Sequence, residues 1–160
     1  MDKVLQLFST PLQISKLSVS QSVLQFVKSQ KFKRHPNGYI THESILECPE
    51  LEIVKSFITN KVKSYLYDTC LISDTMTPEL VTSWVNLHIK GDWAQMHNHT
   101  NSIVSGVWYI STTPNSGNFL VHTDNKLFGN ILDFPRKDNL FNSSYCVFLP
   151  QNGDLILFPS

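Results

Sequence analysis

The hydrophobic pattern of the chain changes period near residue 80. Upstream, apolar residues recur at helical spacing. Downstream, they alternate along short stretches divided by glycine, proline and asparagine. Ser20 stands at a helix start, and Val23, Leu24, Phe26 and Val27 form one apolar stripe, so residues 18–31 are expected to be helical. Pro49 fits the first turn of a second helix, where its missing N–H needs no partner. Leu51, Ile53, Val54, Phe57, Ile58, Val62, Tyr65 and Leu66 carry that helix to about Asp68. Residues 4–14 read as extended, with an interruption at Pro11. Lys31, Lys33 and Arg34, followed by Pro36-Asn37-Gly38, read as a solvated basic loop and turn.

Beyond residue 80 the signals are those of strands. Across residues 81–89, Val81, Val85, Leu87 and Ile89 fall on one face, and Thr82, Trp84, Asn86 and His88 on the other. Further strands are expected at residues 103–110, 118–122, 145–149 and 154–160, separated by turns such as Thr113-Pro114-Asn115-Ser116-Gly117 and Pro150-Gln151-Asn152-Gly153. Many short strands joined by such turns predict a sandwich or barrel with the early helices covering one sheet. The expected fold is mainly β with N-terminal helices, an α+β arrangement. Residues 1–160 would form one domain, with 1–79 as helical support and 80–160 as the β core.

Composition narrows the picture. Apolar residues make up 41% and charged residues 16%, which is globular and excludes a disordered chain. Thirteen basic residues balance thirteen acidic ones, so nothing electrostatic favours nucleic acid or an anionic membrane as partner. No apolar run approaches the roughly 20 residues that span a bilayer, and no signal-peptide core follows Met1. A soluble, cytoplasmic protein is expected, and a homo-oligomer is compatible with it. Cys48, Cys70 and Cys146 show no metal or disulfide spacing, so free thiols in a reducing compartment are expected.

The chemistry centres on Gln95-Met96-His97-Asn98-His99. Two histidines one residue apart project to the same side of an extended backbone, where one metal ion can take both. Alone, this spacing is more often a surface pair than a metal site. Its context adds weight: on the next strand Ser105, Val107 and Tyr109 share a face, and a hydroxyl and a phenol inside a small barrel imply a polar ligand. Trp84, Trp93 and Trp108 offer stacking surfaces, although packing is the usual role of tryptophan. His88 reads as a supporting polar residue, and His122 and Asp124 as cavity or loop residues. His35 and His42 read as surface loop residues. Phosphate loops, nucleophile elbows and catalytic Cys/His signatures are absent from the sequence.

Taken in order, several motifs resemble a family of 2-oxoglutarate/Fe(II)-dependent oxygenases found in marine bacteria and their phages. They are Ser83-Trp84-Val85-Asn86, Gly91, His97-Asn98-His99, Asn101-Ser102, Ser105-Gly106-Val107-Trp108-Tyr109-Ile110, Gly117 and Gly153-Asp154-Leu155-Ile156-Leu157-Phe158-Pro159-Ser160. The resemblance covers about residues 80–160. It implies a double-stranded β-helix, or jelly-roll, that binds Fe(II) and 2-oxoglutarate and oxidises an unactivated C–H bond of a small-molecule or protein substrate. By that resemblance His97 is the first metal ligand, and His99 stands where a carboxylate is usual. Ser105 and Tyr109 are the cofactor-side candidates, and Trp84 and Trp108 the substrate-side ones.

The sequence departs from the family pattern in two ways. His99 is not a carboxylate, so Asp92 or Asp124 is an alternative third ligand, and His99-Thr100-Asn101 an alternative register. The family's distal histidine, and the basic residue that binds the far carboxylate of the keto acid, are expected beyond Ser160. The chain as given is therefore expected to be truncated and to bind iron weakly. Its last strand, with Leu155, Leu157 and Phe158, is expected to leave a sheet edge open. Two other readings compete: a jelly-roll binding module without chemistry, and a cupin-like metal-binding protein.

Overall fold

The computed structural model describes residues 3–5, 9–123 and 143–160. Helix α1 (Gln21–Ser29) begins where the Ser20 hydroxyl accepts the Val23 N–H at 3.2 Å, the predicted cap, and it buries Val23 and Val27. Pro49 opens a 3-10 turn, Pro49–Leu51, that leads into α2 (Glu52–Ser64). The helix then widens into a π-helical turn, Tyr65–Thr69. Leu51, Val54, Tyr65 and Leu66 are buried as the spacing predicts. Ile53 is 80% exposed instead. It precedes Val54 by one residue, about 100° around the helix, which turns it off the buried stripe.

The strands are β1 (Gln13–Lys16), β2 (Lys33–His35), β3 (Gly38–Ile40), β4 (Asn86–Leu87), β5 (Val104–Trp108), β6 (Phe119–His122), β7 (Tyr145–Phe148) and β8 (Asp154–Pro159). Among the described residues they pair into three antiparallel sheets, ordered β1-β8-β5, β2-β3-β4 and β6-β7. This mixture of helices and small antiparallel sheets agrees with an α+β fold. These pairings do not by themselves make a double-stranded β-helix.

The sheet of β1, β8 and β5 carries the core. Leu155, Ile156 and Leu157 of β8 are each 1% exposed. Leu155 and Leu157 face the helices and pack with Tyr65, Leu66, Phe57 and Trp108. Burying a leucine side chain contributes about 1.5–3 kcal/mol, so these positions anchor the helical layer to the sheet. Gly106 faces Leu157 across the ladder, and a Cβ there would lie 2.7 Å from the Leu157 Cδ2. The opposite face carries Ser105, Val107, Ile156 and Phe158, and Phe119 of β6 meets Phe158 with ring centroids 5.3 Å apart. Helices thus cover one face of the sheet, and the β6-β7 strand pair meets the other.

Three expectations are corrected. β8 is not an open edge: it is central, paired with β1 from Gln13↔Leu157 to Lys16↔Asp154 and with β5 from Val104↔Pro159 to Trp108↔Leu155. The N-terminal β1 supplies the neighbour that the downstream sequence alone does not reveal. The basic stretch before Pro36 is not a loop but β2 of a tight hairpin, with His35 opposite Gly38. The alternating residues 81–89 form only the two-residue β4, and Val81, Leu87 and Ile89 are exposed. Upstream of β4 the backbone bonds to a loop. The Thr41 N–H donates to the Val85 carbonyl and the Val85 N–H to the Thr41 hydroxyl, while the Ile45 N–H donates to the Ser83 carbonyl. Val85 alone of that apolar set packs on the core.

Cys48, Cys70 and Cys146 are free and half-buried. Among the described residues no helix is long and apolar enough to cross a membrane.

Candidate functional site

The β2-β3 hairpin on one side, and β4 with the segments that flank it on the other, form two walls of a cleft of about 130 Å³. His35, Asn37 and Ile40 line the first wall; Trp84, Asn86, His88, Ala94 and His97 line the rest. The register explains the lining: Ile40 stands opposite Asn86, so both side chains leave the sheet on one face. Gly38, at φ +131°, lets the His88 ring lie against the hairpin backbone, since a Cβ there would be 2.6 Å from the His88 Cδ2.

A charged pair fixes the two walls together. Arg34 Nη1 lies 3.0 Å from Asp92 Oδ1, and the guanidinium sits 5.0 Å from the centroid of the Tyr39 ring. Asp92 also accepts the Ile89 N–H at 3.0 Å and closes a turn by donating its own N–H to the Ile89 carbonyl. The Ile89 N–H holds the Asp92 carboxyl below its ordinary 3.8; burial opposes this, and Arg34 and His88 reinforce it.

His97 and His99 come together as the spacing predicts. Their rings meet edge to face with centroids 5.0 Å apart, and the His99 ring lies 5.8 Å from that of Trp84. His97 is exposed and His99 half-buried. His97 Nδ1 is 2.7 Å from the Gln95 carbonyl oxygen. A carbonyl only accepts, so Nδ1 carries the proton and Nε2 is left with its lone pair, the tautomer a metal ligand needs. Burial, and secondly the neighbouring His97, lower the pKa of His99 below its ordinary 6.5.

The other sequence candidates fall elsewhere. Ser105 is half-buried, and its hydroxyl lies 2.8 Å from that of Ser160. Tyr109 follows β5 at its far end, four residues and roughly 13 Å from Ser105 at strand rise. Burial and then the Asp154 charge push its phenol up to about 12. Among the described residues neither makes a hydrogen bond to His97 or His99. Trp84 lines the cleft, but Trp108 does not: it packs between helices and sheet and donates its indole N–H to the Leu17 carbonyl at 3.3 Å. Its face of β5 is the one turned to the helices, which sets it apart from the cleft that Trp84 lines. The Asp92 carboxylate is committed to Arg34 and Ile89. Asp124 lies outside the described residues, and His122 ends β6 in an exposed position.

His35, Asn37 and Ile40 were not singled out from sequence as lining residues. The signal for them was Pro36-Asn37-Gly38, which is a hairpin turn as well as a loop mark, and a hairpin there swings His35 towards the strand containing Asn86.

The donors present fit a metal in part. His97 and His99 are two imidazoles with adjacent rings. Among the described residues, however, no group of three or more His, Cys, Asp or Glu side chains could hold a metal ion. Residues 82–160, just under half of the chain, match a family model described as "Putative 2OG-Fe(II) oxygenase". Comparison with curated proteins and with solved structures gave no match.

Proposed function

We propose that this chain carries the metal-binding part of a 2-oxoglutarate- and Fe(II)-dependent oxygenase, with His97 and His99 as two of the metal donors. The observation that carries this reading is the His97 ring: its Nδ1–H is tied to the Gln95 carbonyl, its Nε2 is left for a metal, and it stands 5.0 Å from the His99 ring inside the region matched by the family model. Iron(II) with 2-oxoglutarate supplies dioxygen activation and oxidation of a C–H bond, with the keto acid converted to succinate and carbon dioxide. In this reading His97 and His99 supply two of the protein donors, and Asp124, which lies outside the described residues, stays one of the alternatives for another. The chain's own residues do three things. Gln95 fixes the His97 tautomer, Trp84 packs beside His99, and the Arg34–Asp92 pair holds the facing wall of the cleft.

The test is anaerobic titration of the protein with Fe(II), followed by 2-oxoglutarate. The oxygenase reading expects a visible absorption band on adding the keto acid, lost in His97→Ala and in His99→Ala. Metal binding without any response to the keto acid would favour a cupin-like metal-binding protein. Absence of metal binding would favour a module that binds ligands without chemistry.

A further inference from the structure

The cleft brings a residue from the N-terminal half of the chain towards His97. His35 ends β2, well before the family match begins at residue 82. It lines the cleft on one wall, and His97 lines it on the other. The strand register accounts for the approach. His35 stands opposite Gly38 in the hairpin, and the next pairing sets Ile40 of that hairpin opposite Asn86 of the other wall.

The two rings hold their protons on opposite atoms. The Asn37 N–H donates to His35 Nδ1 at 3.4 Å. A ring nitrogen that accepts carries no proton, so in the neutral imidazole the proton sits on Nε2. His97 is the reverse: its Nδ1–H goes to the Gln95 carbonyl, and its Nε2 keeps a lone pair. Each ring uses Nδ1 on backbone two residues away. One wall is left with an N–H edge, and the other with a nitrogen that can ligate. A cavity of about 130 Å³ has room for roughly four waters at about 30 Å³ each, so one small group entering it meets both walls. We infer that His35 is a binding residue of the metal site, its Nε2–H donating to the oxygen of a carboxylate that coordinates a metal held by His97. An anionic oxygen suits both sides of the cleft, because it ligates a metal and accepts a hydrogen bond strengthened by its charge. The inference rests on the oxygenase reading and adds to it a residue from outside the family-matched region.

The test uses the whole chain in two states. Without metal, at about pH 8, where an ordinary imidazole is neutral, two-bond 1H–15N NMR spectra should place the proton of His35 on Nε2 and that of His97 on Nδ1. With Co(II) in place of iron, added without oxygen, visible absorption follows ligand exchange at the metal. Acetate and free imidazole are titrated separately. Acetate can accept from His35, whereas imidazole, once coordinated, presents only an N–H. His35 and His97 are exposed, so water competes for the bond and the expected effect is modest. His35→Ala should weaken acetate by about three- to tenfold, while the affinities for imidazole and for Co(II) stay unchanged. His35→Gln, whose amide still donates, should keep most of the acetate affinity. Should His35→Ala fail to fold, His35→Phe, a ring without an N–H, takes its place. Unchanged acetate binding, an equal loss of acetate and imidazole, or a His35 proton on Nδ1 would overturn the inference and leave the oxygenase reading standing. Co(II) binding that His97→Ala does not alter would overturn both.

Discussion

Arg34 on β2 and Asp92 in the turn after β4 are paired at 3.0 Å, although 58 positions separate them in the chain. The carboxylate is well covered, with 7% of its side chain exposed, whereas the guanidinium is 57% exposed and stacks on Tyr39. The pair sits where the two walls of the cleft are joined. Removing Asp92 therefore acts on the cleft as well as on stability. Asp92→Ala should lower Tm by a few degrees, and Arg34→Met by less, because the Ile89 bond to Asp92 survives in the latter. The pH dependence follows from the depressed pKa. The contribution of Asp92 is complete above its ordinary 3.8 and is lost as pH falls below it through the lower folded value. Thermal melts at stepwise lower pH should show a steeper acid loss in the parent chain than in Asp92→Asn.

Gly38 has a strict steric role. Its φ is +131°, and a Cβ at this position would come closer than 3.0 Å to both the His88 Cδ2 and the Leu87 carbonyl oxygen, so alanine would meet backbone strain and a clash together. Gly38→Ala should cost about 1–3 kcal/mol in chemical denaturation and shift the His88 imidazole signals. Unchanged His88 signals would show that the ring does not lie against the hairpin.

The two tryptophans of the sequence-level substrate set should separate in experiment. Trp108→Ala opens a hole between α2 and β8 and should cost about 3 kcal/mol. Trp84→Ala should cost less stability and alter the His99 ring environment, since the two rings are 5.8 Å apart. Denaturation curves with His99 chemical shifts measure both quantities.

Two phenols set the alkaline limit. Burial, then Cys70, pushes Tyr65 up to about 12, and burial, then Asp154, does the same to Tyr109. A folded-state pKa above the ordinary 10.0 means that the folded chain holds its protons longer than the unfolded one. Stability from these groups is therefore complete below pH 10 and falls as pH rises through about 12. Tm measured across that range should drop less steeply in Tyr109→Phe, which has no proton to lose.

The helices were legible because their stripes and caps are local: Ser20, Pro49 and the positions from Leu51 to Leu66 act within a few turns of chain. The strand positions of β5 to β8 were legible from alternation and turns. Pairing was not, because it is long-range: nothing near Leu157 announces that Gln13 is its neighbour. Alternation over residues 81–89 misled because the same period arises in an extended segment held by loop bonds from Thr41 and Ile45. At the site, the His97/His99 pair was legible from its spacing. The opposing wall of His35 and Asn37 was not, because it arrives from a hairpin some 60 residues earlier in the chain.

The metal assignment is tested most directly by paramagnetic broadening. Substoichiometric Fe(II), added without oxygen to the isotope-labelled chain, relaxes the nuclei nearest to it first. The imidazole signals of His97 and His99 and the indole signal of Trp84 are expected to broaden before any others, and the effect should disappear in His97→Ala. Broadening that begins at His35, His42 or His88, or that persists in His97→Ala, would contradict the assignment of His97 and His99 as metal donors.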